Sequence, residues 1–178
     1  MNRSQVKFFN TLGRRLAPFE PLAPAKVGIY TCGPTVYNTV HIGNLRTFLF
    51  EDLLCRSLRF LGFEVTQIMN LTDVDDKTIA GAEREGVPLG DYTARYITAF
   101  HEDCAALGLE PSEENPRATD PANIQAMSDM IATLEQKGHT YRSDGSIYFK
   151  ISTMPNYGRL ARLDHDGILA GARVDSDE

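Results

Sequence analysis

One stretch decides the fold of this chain: Tyr30-Thr-Cys-Gly-Pro-Thr-Val-Tyr-Asn-Thr-Val-His-Ile-Gly-Asn44. It begins inside an apolar run that predicts a strand over 26–31, turns at Gly33-Pro34, and leads into a long amphipathic helix. Where a strand and a tight loop meet a helix N-terminus, the first-turn N–H groups are unpaired and the helix dipole is positive. The stretch therefore predicts an anion site of the kind that holds a polyphosphate.

Two polar side chains stand at the start of that helix. His41 and Asn44 are three residues apart, so both project from one side of the first turn. Gly43 between them has no Cβ, which would let a flat ring approach the backbone closely. Spacing alone favours an ordinary surface capping turn, and the surrounding sequence has to decide between that interpretation and contact with phosphate.

The residues after this stretch predict an α/β fold. Apolar residues recur at helical spacing over 43–61, and a run rich in β-branched residues predicts a strand over 63–69. The predicted inward face of the helix is formed by Phe50, Leu53, Leu54, Leu58 and Leu61. A strand, a helix and a strand in this order imply a right-handed crossover that makes the two strands parallel. Strands of parallel sheets are usually buried on both faces. Ligands bind beyond the carboxyl ends of such strands, which is where Cys32 and Thr72 lie.

The second part of the chain changes character. Helices are predicted over 76–85, from a cap at Asp91 to Gly108, and from Thr119 or Asp120 to Gly138, with an acidic linker over 110–116. A hairpin with an Asp-Gly turn is predicted over 141–149, and a loose tail from Asp164. We therefore predict two regions, 1–115 and 116–178.

The composition of the chain argues against several classes of protein. The net charge of the 178-residue chain is −6, and no block of Lys or Arg appears, which argues against a free-standing nucleic-acid binder. The three cysteines are far apart, so a disulfide framework is not expected. No apolar run is long enough for a bilayer and the N-terminus lacks the apolar core of a signal peptide, so we predict a cytoplasmic protein without membrane contact.

An ordered set of motifs resembles one family. His41-Ile-Gly-Asn44 resembles the "HIGH" signature of class I aminoacyl-tRNA synthetases, and the preceding Tyr30 to Tyr37 resembles the cysteinyl-tRNA synthetase form of that region. Further resemblances follow in the family's order at 59–63, 70–77, 116–119, 137–139 and 171–175. The chain departs from the pattern at Asn44, where the signature has His, and at 120–124, where Asp-Pro-Ala-Asn-Ile replaces the familiar His-Ile.

The resemblance implies a fold, an activity and a set of site residues. Region 1–115 would be the first half of a Rossmann-like nucleotide-binding catalytic domain, and 116–178 an α+β connective insertion. The activity would be ATP-dependent activation of L-cysteine and its ligation to tRNA(Cys), with ATP bound as its Mg complex. His41 and Asn44 would act in catalysis, and Cys32, Gly33 and Thr72 in amino-acid binding. The implied ATP-binding residues are Pro34, Thr35, Val36, Tyr37, Asn38, His41, Ile42, Gly43 and Asn44.

The resemblance also makes Cys32 the first ligand of a zinc ion that binds the substrate thiolate. From the residues alone, Cys32 could equally be a nucleophile or a small core residue, which is the commonest fate of a cysteine. Cys55 falls among the apolar positions of its helix and is expected in the core. Asp73, Asp75 and Asp76 could suit magnesium, but helix capping and loop hydrogen bonds are favoured. Thr72 could alternatively cap the turn into the 76–85 helix.

The family's second nucleotide-fold half, its remaining zinc ligands and its tRNA-binding region have no counterpart in these 178 residues. We therefore expect the N-terminal catalytic part of an enzyme, inactive in tRNA charging by itself and able to self-associate through apolar strand surface at Val27, Ile29, Val65 and Ile68. Two alternatives stay open. One is a cysteine-activating ligase of the mycothiol-ligase type, and the other is a truncated remnant that at most binds nucleotide.

Overall fold

The computed structural model describes residues 6–163, which form six strands, four α-helices and one 3-10 turn. In chain order these are β1 (Lys7–Asn10), β2 (Arg15–Pro18), β3 (Lys26–Thr31), α1 (Ile42–Phe60), β4 (Glu64–Met69), α2 (Asp76–Glu85), α3 (Leu89–Ala106), α4 (Pro121–Gln136), β5 (Thr140–Ser143), β6 (Ser146–Phe149) and the turn Ile151–Thr153. The described residues form two compact units, 20–129 and 6–19 with 130–163. α4 begins in the first unit and ends in the second. The functional division at 115/116 stays a prediction.

The first unit is built on the predicted parallel pair. β3 and β4 run parallel, with Val27 opposite Val65 and Thr31 opposite Met69, and α1 is the crossover between them. The segment predicted as an acidic linker lies along β4, where Met69 N–H donates to Glu114 O at 3.0 Å. The strand–helix–strand prediction is confirmed, and the linker extends the parallel arrangement by isolated bridges.

The core of this unit lies between the sheet and two helices. It gathers apolar side chains from the loop after β3, from α1, from β4 and its following loop, and from α3. Its buried members are Val36, Phe48, Met69, Leu71, Ile97 and Phe100. The rings of Phe48 and Phe100 meet edge to face, with centroids 4.9 Å apart. This contact fixes α1 against α3 next to the loop that carries the candidate site.

The predicted inward face of α1 is partly wrong. Leu58 is buried, but Phe50 and Leu53 are 67% and 61% exposed, whereas Phe48 and Cys55 are buried. The helix buries the stripe that faces β4 and α3, and apolar spacing alone could not show that a second apolar stripe lies towards solvent.

β3 likewise is buried on one side only, since Val27 and Thr31 are buried while Tyr30 is 70% exposed. The prediction of exposed surface at Val27 and Val65 is also wrong, because both are 7% exposed. Ile29 and Ile68 are half-buried. The exposed apolar surface of this sheet and its crossover helix lies instead at Tyr30, Phe50 and Leu53.

α2 and α3 form a helical hairpin after β4. Asp75 is the N-cap of α2, its carboxylate accepting from Lys77 N at 2.7 Å. The cap predicted at Asp91 is wrong, because α3 already begins at Leu89 after Pro88. Asp91 lies in the first turn of α3, where a carboxylate still complements the helix dipole.

The second unit consists of short hairpins and the end of α4. β1 pairs antiparallel with β2, and β5 with β6 through the predicted Asp144-Gly145 turn, whose residues have φ values of 44° and 83°. Arg142 and Glu135 form an ion pair at 2.8 Å. The predicted tail from Asp164 lies outside the described residues. Within 6–163 no helix has the length and apolarity needed to cross a membrane.

Candidate functional site

Two loops meet at the carboxyl ends of β3 and β4. One runs over 32–41 and the other over 70–75. Val36 N–H donates to Thr72 O and Thr72 N–H donates to Pro34 O, both at 3.1 Å. These bonds continue the parallel pairing beyond the strands, through a bridge between Thr35 and Thr72. The sequence prediction that the two loops lie together is confirmed, and their backbones fix each other.

Gly33 is required where the first loop passes the second. A Cβ at this position would lie 1.9 Å from Asn70 O, so no other residue fits without moving the backbone. Gly33 N–H donates to Asn70 Oδ1 at 3.3 Å, and Asn70 Nδ2 donates to Thr72 Oγ1 at 3.3 Å. The Asn70 amide thus connects two of the predicted amino-acid-binding residues. Sequence reasoning missed this role, although a polar residue directly after a buried strand was the available signal.

His41 and Asn44 form a reciprocal cap at the N-terminus of α1. His41 Nδ1 accepts a hydrogen bond from Gly43 N–H at 3.0 Å, and His41 N–H donates to Asn44 Oδ1 at 3.2 Å. A neutral imidazole whose Nδ1 accepts must carry its proton on Nε2. An asparagine whose oxygen accepts has its Nδ2 free to donate. Both side chains are exposed, and neither of these two donors has a hydrogen-bond partner within 6–163.

A pocket of about 230 Å³ lies beside this cap. Its lining comes from the loop after β3 and the first turn of α1: Pro34, Thr35, Tyr37, Asn38, Thr39, Val40, His41 and Asn44. Six of these were predicted as ATP-binding residues, while Thr39 and Val40 were not. Three predicted residues do not line the pocket: the Val36 side chain is in the core, and Ile42 and Gly43 lie on the exposed first turn.

A buried tyrosine holds the loop from the other side. Tyr92 of α3 is 2% exposed, and its hydroxyl donates to Tyr37 O at 2.7 Å. Gly81 of α2 leaves the space for this ring, since a Cβ there would lie 2.2 Å from the Tyr92 hydroxyl oxygen. The loop is therefore attached to the second loop through backbone bonds and to α3 through a side chain. Nothing in the sequence pattern indicated the Tyr92 contact, because it joins residues 55 positions apart.

The three cysteines have different surroundings. Cys32 is exposed at the end of β3, with Sγ 3.8 Å from Gly33 O. Cys55 is buried, as predicted, and burial raises the pKa of its thiol. Burial raises the pKa of Cys104 to about 11, so that thiol stays protonated at neutral pH. Of the three, only Cys32 is exposed in a candidate site.

The residues around Cys32 do not by themselves make a zinc centre. Among residues 6–163 there is no group of three His, Cys, Asp or Glu side chains that could hold a metal ion. A structural or catalytic zinc site needs three or four protein ligands, and a single thiolate binds zinc weakly. We therefore assign no chemical step to zinc.

The acidic residues after β4 have structural roles, as favoured from the sequence. Asp73 is buried and accepts hydrogen bonds from the backbone N–H and the hydroxyl of Thr119, the N–H at 3.1 Å. Asp75 is the cap of α2, so the alternative reading of Thr72 as that cap is wrong. Asp73 thereby attaches the segment before α4 to the candidate site.

A carboxylate not identified from the sequence lies beneath the end of β3. Glu51 of α1 is half-buried, and desolvation raises its pKa, partly offset by a hydrogen bond with Thr31. Its Oε2 has no hydrogen-bond partner within the described part of the chain. Thr31 Oγ1 in turn accepts from Gln67 Nε2 at 3.3 Å. Glu51, Thr31 and Gln67 therefore form a polar cluster, and its member Thr31 directly precedes Cys32.

Solved structures share this fold. An Agrobacterium radiobacter LeuRS in a ternary complex with tRNA and LeuAMS matches with a TM-score of 0.61 and 22% identity, over 70% of this chain and 16% of that chain. Mycobacterium tuberculosis methionyl-tRNA synthetase in complex with methionyl-adenylate matches with a TM-score of 0.59 and 16% identity, over 70% of this chain and 28% of that chain. These similarities confirm the α/β, Rossmann-like fold of the class I synthetases.

Sequence comparison gives a narrower result. A cysteine–tRNA ligase of Brachyspira hyodysenteriae is 50% identical over 97% of this chain, and one of Methanosarcina mazei is 44% identical over 97%. The chain spans about a third of the length of these relatives, 36% in both cases. The family model for the class I (C) tRNA synthetase catalytic domain matches residues 18–178. The chain therefore belongs to the class I tRNA synthetase (C) catalytic-domain family.

Proposed function

We propose that this chain supplies the nucleotide-binding part of a protein that activates L-cysteine with Mg-bound ATP and ligates it to tRNA(Cys). The cysteine–tRNA ligases among its relatives, 44–50% identical, support this assignment. The observation that carries it is the reciprocal cap of His41 and Asn44 beside the 230 Å³ pocket.

The proposed first step is attack of the cysteine carboxylate on the α-phosphorus of ATP. A carboxylate oxygen forms the new bond to phosphorus, and the bond to the bridging oxygen breaks and releases pyrophosphate. Such a transfer depends on positioning and charge stabilisation more than on acid–base chemistry. The Nε2–H of His41 and the Nδ2–H of Asn44, beside the dipole of α1, are donors of the required kind. The M. tuberculosis neighbour is in complex with methionyl-adenylate, an aminoacyl-adenylate of the kind that this step would form from cysteine.

In this proposal Asn44 replaces a second histidine without loss of a donor. Its Oδ1 accepts from His41 N–H, so both hydrogens of its Nδ2 are available to donate. The same loop would bind ATP through Pro34, Thr35, Tyr37 and Asn38, which line the pocket. Val36, Ile42 and Gly43 would contribute through backbone groups only.

The amino acid would lie at the strand ends, against Cys32, Gly33 and Thr72. Asn70 holds Gly33 and Thr72 in fixed relation, and Cys32 presents an exposed thiol next to them. Zinc is part of the proposal only with ligands from outside the described residues, as one thiolate is insufficient. Metal analysis after dialysis should find no stoichiometric zinc in residues 1–178 alone and about one zinc in the complete protein.

Cysteine-dependent exchange of pyrophosphate into ATP tests the proposal. The complete protein should catalyse exchange with L-cysteine and show far less with L-serine at the same concentration. This assay needs no tRNA, so it examines activation separately from ligation. Equal exchange with both amino acids, or none with cysteine, would contradict the proposed substrate.

Two expectations about the 178 residues alone remain predictions. Aminoacylation of tRNA(Cys) by this chain should give no product, while the complete protein charges it. Self-association is supported by the exposed apolar side chains of Tyr30, Phe50 and Leu53. Sedimentation of the chain against a variant with Phe50→Ser and Leu53→Ser should show oligomers for the first and a monomer for the second, and a monomeric parent would contradict the prediction.

A further inference from the structure

A carboxyl group lies in the middle of the core-facing stripe of α1. The buried side chains of this helix are Phe48, Cys55 and Leu58. Glu51 comes three residues after Phe48 and four before Cys55, so it lies on the same face of the helix. This face packs against β4, where Cys55 Sγ donates to Gln67 Oε1 at 3.4 Å. Glu51 is thus an ionisable residue in the stripe that α1 turns towards the sheet.

The position of Glu51 is unfavourable for the stability of the fold. Its Oε2 is buried and has no hydrogen-bond partner among residues 6–163, and desolvation raises its pKa. A buried acceptor without a donor costs free energy, whereas an apolar side chain of similar size at this place would leave no group of its own unsatisfied. Packing therefore does not account for a carboxyl group here, and the contact of its other oxygen becomes the relevant one.

The hydrogen bonds of the polar cluster run in one direction and begin at Cys55. Its thiol donates to Gln67 Oε1, and Gln67 Nε2 donates to Thr31 Oγ1 at 3.3 Å. A threonine hydroxyl has one hydrogen. Because the oxygen of Thr31 accepts from Gln67, this hydrogen is the one in its hydrogen bond with Glu51. Donors in series polarise one another, and this series ends on the Glu51 carboxyl group.

Thr31 is the residue through which this cluster meets the candidate site. It is the last residue of β3 and is buried, and Cys32 and Gly33 follow it directly. Gly33 passes the second loop so closely that a Cβ would lie 1.9 Å from Asn70 O. A small displacement of the end of β3 would therefore change this approach. Asn70 holds the first loop from the side of β4, whereas Glu51 holds the end of β3 from the side of α1.

The same helix carries the cap beside the nucleotide pocket. His41 and Asn44 form that cap at the N-terminus of α1, and Glu51 lies further along the helix on the side that faces the sheet. One helix therefore relates the proposed phosphate contacts to the residues proposed to bind the amino acid. The two contacts are separate, because the hydrogen bonds of the cap do not involve Glu51 or Thr31.

We propose that Glu51 is a positioning residue for the amino-acid site, because it holds the hydroxyl group of Thr31 and thereby fixes the end of β3 that leads into Cys32 and Gly33. The assignment rests on the proposed function, in which the amino acid lies against these residues. Loss of the Glu51 contact loosens the end of β3 and weakens binding of the amino acid. The cap of α1 is unaffected, so binding of ATP is retained.

Amide hydrogen exchange of the complete protein tests the positioning without any reaction. Glu51→Leu removes the acceptor and Thr31→Val removes the donor, while Glu51→Gln and Thr31→Ser retain them. The amides of Gly33 and Val36 are hydrogen-bonded to the second loop. They should exchange about two- to tenfold faster in the first pair of variants, as the loss of one hydrogen bond allows, and at the parental rate in the second pair. Unchanged exchange in the middle of α3 would show that every variant is folded.

The second arm measures cysteine-dependent pyrophosphate exchange in the same variants. The KM for L-cysteine should rise about two- to tenfold in Glu51→Leu and in Thr31→Val, while the KM for ATP stays within about twofold of the parent. The double variant should resemble the more impaired single variant, because both substitutions break the same hydrogen bond. Glu83→Leu makes the same chemical change at an exposed position of α2 and should leave both KM values unchanged.

Three results would overturn the inference. The first is a parental KM for cysteine in both Glu51→Leu and Thr31→Val, and the second is an equal rise of the KM values for cysteine and ATP, which a general loss of structure would cause. The third is an effect of Glu51→Gln as large as that of Glu51→Leu, since the amide oxygen still accepts from Thr31.

The two arms separate this inference from the proposed function. A parent without cysteine-dependent exchange of pyrophosphate would contradict the function, and the amide exchange of Gly33 and Val36 would then decide whether Glu51 fixes the end of β3. A parent that exchanges pyrophosphate with cysteine, and whose Glu51→Leu and Thr31→Val variants behave as the Glu83→Leu control does, would contradict the positioning role alone.

Discussion

The two units of this chain differ in how firmly they can hold a functional group. Every buried residue within 6–163 lies between Val27 and Phe100, in the first unit. The second unit has two short hairpins, and none of its described residues is buried. Isolated two-stranded hairpins are marginally stable in water. The loops after β3 and β4 are fixed because they pack against the buried core of the first unit.

The two units also differ in the hydrogen bonds and ion pairs that their polar side chains form. In the first unit, Asn70, Asp73 and Tyr92 each make a specific hydrogen bond that attaches one loop to another segment. In the second unit the side-chain contacts are exposed, as in the Arg142–Glu135 pair. Exposed pairs of this kind contribute little to stability. Substitutions that break one of these attachments in the first unit should therefore alter chemistry, and the loss of an exposed contact in the second unit should not.

The largest expected effect is that of His41→Ala in the complete protein. It removes the Nε2–H donor proposed to contact ATP and should lower the rate of pyrophosphate exchange on the order of 10²–10³-fold. His101→Ala, an exposed histidine on α3, is the control and should retain the parental rate. Exchange by His41→Ala within threefold of the parent would remove the basis for the proposed role.

Gly33→Ala should have the next largest effect. The added methyl group would lie 1.9 Å from Asn70 O, so the two site loops must move apart. A displacement of about 1 Å at an active site can cost on the order of 10²-fold in rate. Gly28→Ala is a matched control on the same strand, because a Cβ there meets nothing within 4 Å. Similar exchange rates for the two alanine variants would show that the close approach of the loops is unimportant.

Tyr92→Phe should have a smaller effect. It removes one hydrogen bond, to Tyr37 O, while the ring still fills its place between α2 and α3. One hydrogen bond contributes roughly 0.5–1.5 kcal/mol, so the KM for ATP should rise about two- to tenfold with little change in kcat. Tyr141→Phe in the second unit, an exposed ring, should leave both values unchanged. An effect of Tyr141→Phe as large as that of Tyr92→Phe would contradict the contrast between the units.

The smallest effect is expected on stability, from Glu51→Gln. Burial raises the folded-state pKa of Glu51 above its unfolded value, so the folded protein favours the protonated carboxyl. Below the pKa that Glu51 has in the unfolded chain, the carboxyl is protonated in both states and does not change the free energy of unfolding. As pH rises through the pKa of the folded state, the carboxyl becomes charged there and destabilises the fold. Glu51→Gln should therefore increase the free energy of unfolding at pH 7 by less than about 1 kcal/mol, since the group is only partly buried.

Urea unfolding of parent and Glu51→Gln at pH 4 and pH 7 measures this difference. The two proteins should be alike at pH 4 and differ at pH 7, with the variant the more stable. Glu83→Gln, which replaces an exposed carboxylate of α2, is the matched control. A variant less stable than the parent at pH 7 would mean that the ionised Glu51 carboxylate is stabilising.

The sequence was informative wherever structure depends on neighbouring residues. The bounds of β3 and α2, the Asp144-Gly145 turn and the cap at His41 all follow from local patterns of apolar spacing and turn chemistry. The parallel pairing of β3 and β4 followed from a rule of chain topology. These features explain why the position of the candidate site could be predicted.

What the sequence could not show depends on contacts between distant residues. The buried stripe of α1 was misjudged at Phe50 and Leu53, because apolar spacing does not reveal which side is covered. The link from Tyr92 to Tyr37 and the amide bridge of Asn70 cross 55 and 37 residues, and neither has a local signature. Such side chains determine how firmly the site is held.

The central claim is that the cap of α1 leaves the Nε2–H of His41 directed to a phosphate. Nitrogen NMR of the His41 imidazole at pH 8, with and without ATP, tests it most directly. The account predicts a proton on Nε2, an accepting Nδ1, and a shift of the Nε2–H resonance when ATP is added. A proton on Nδ1, or a His41 spectrum that ATP leaves unchanged, would contradict it.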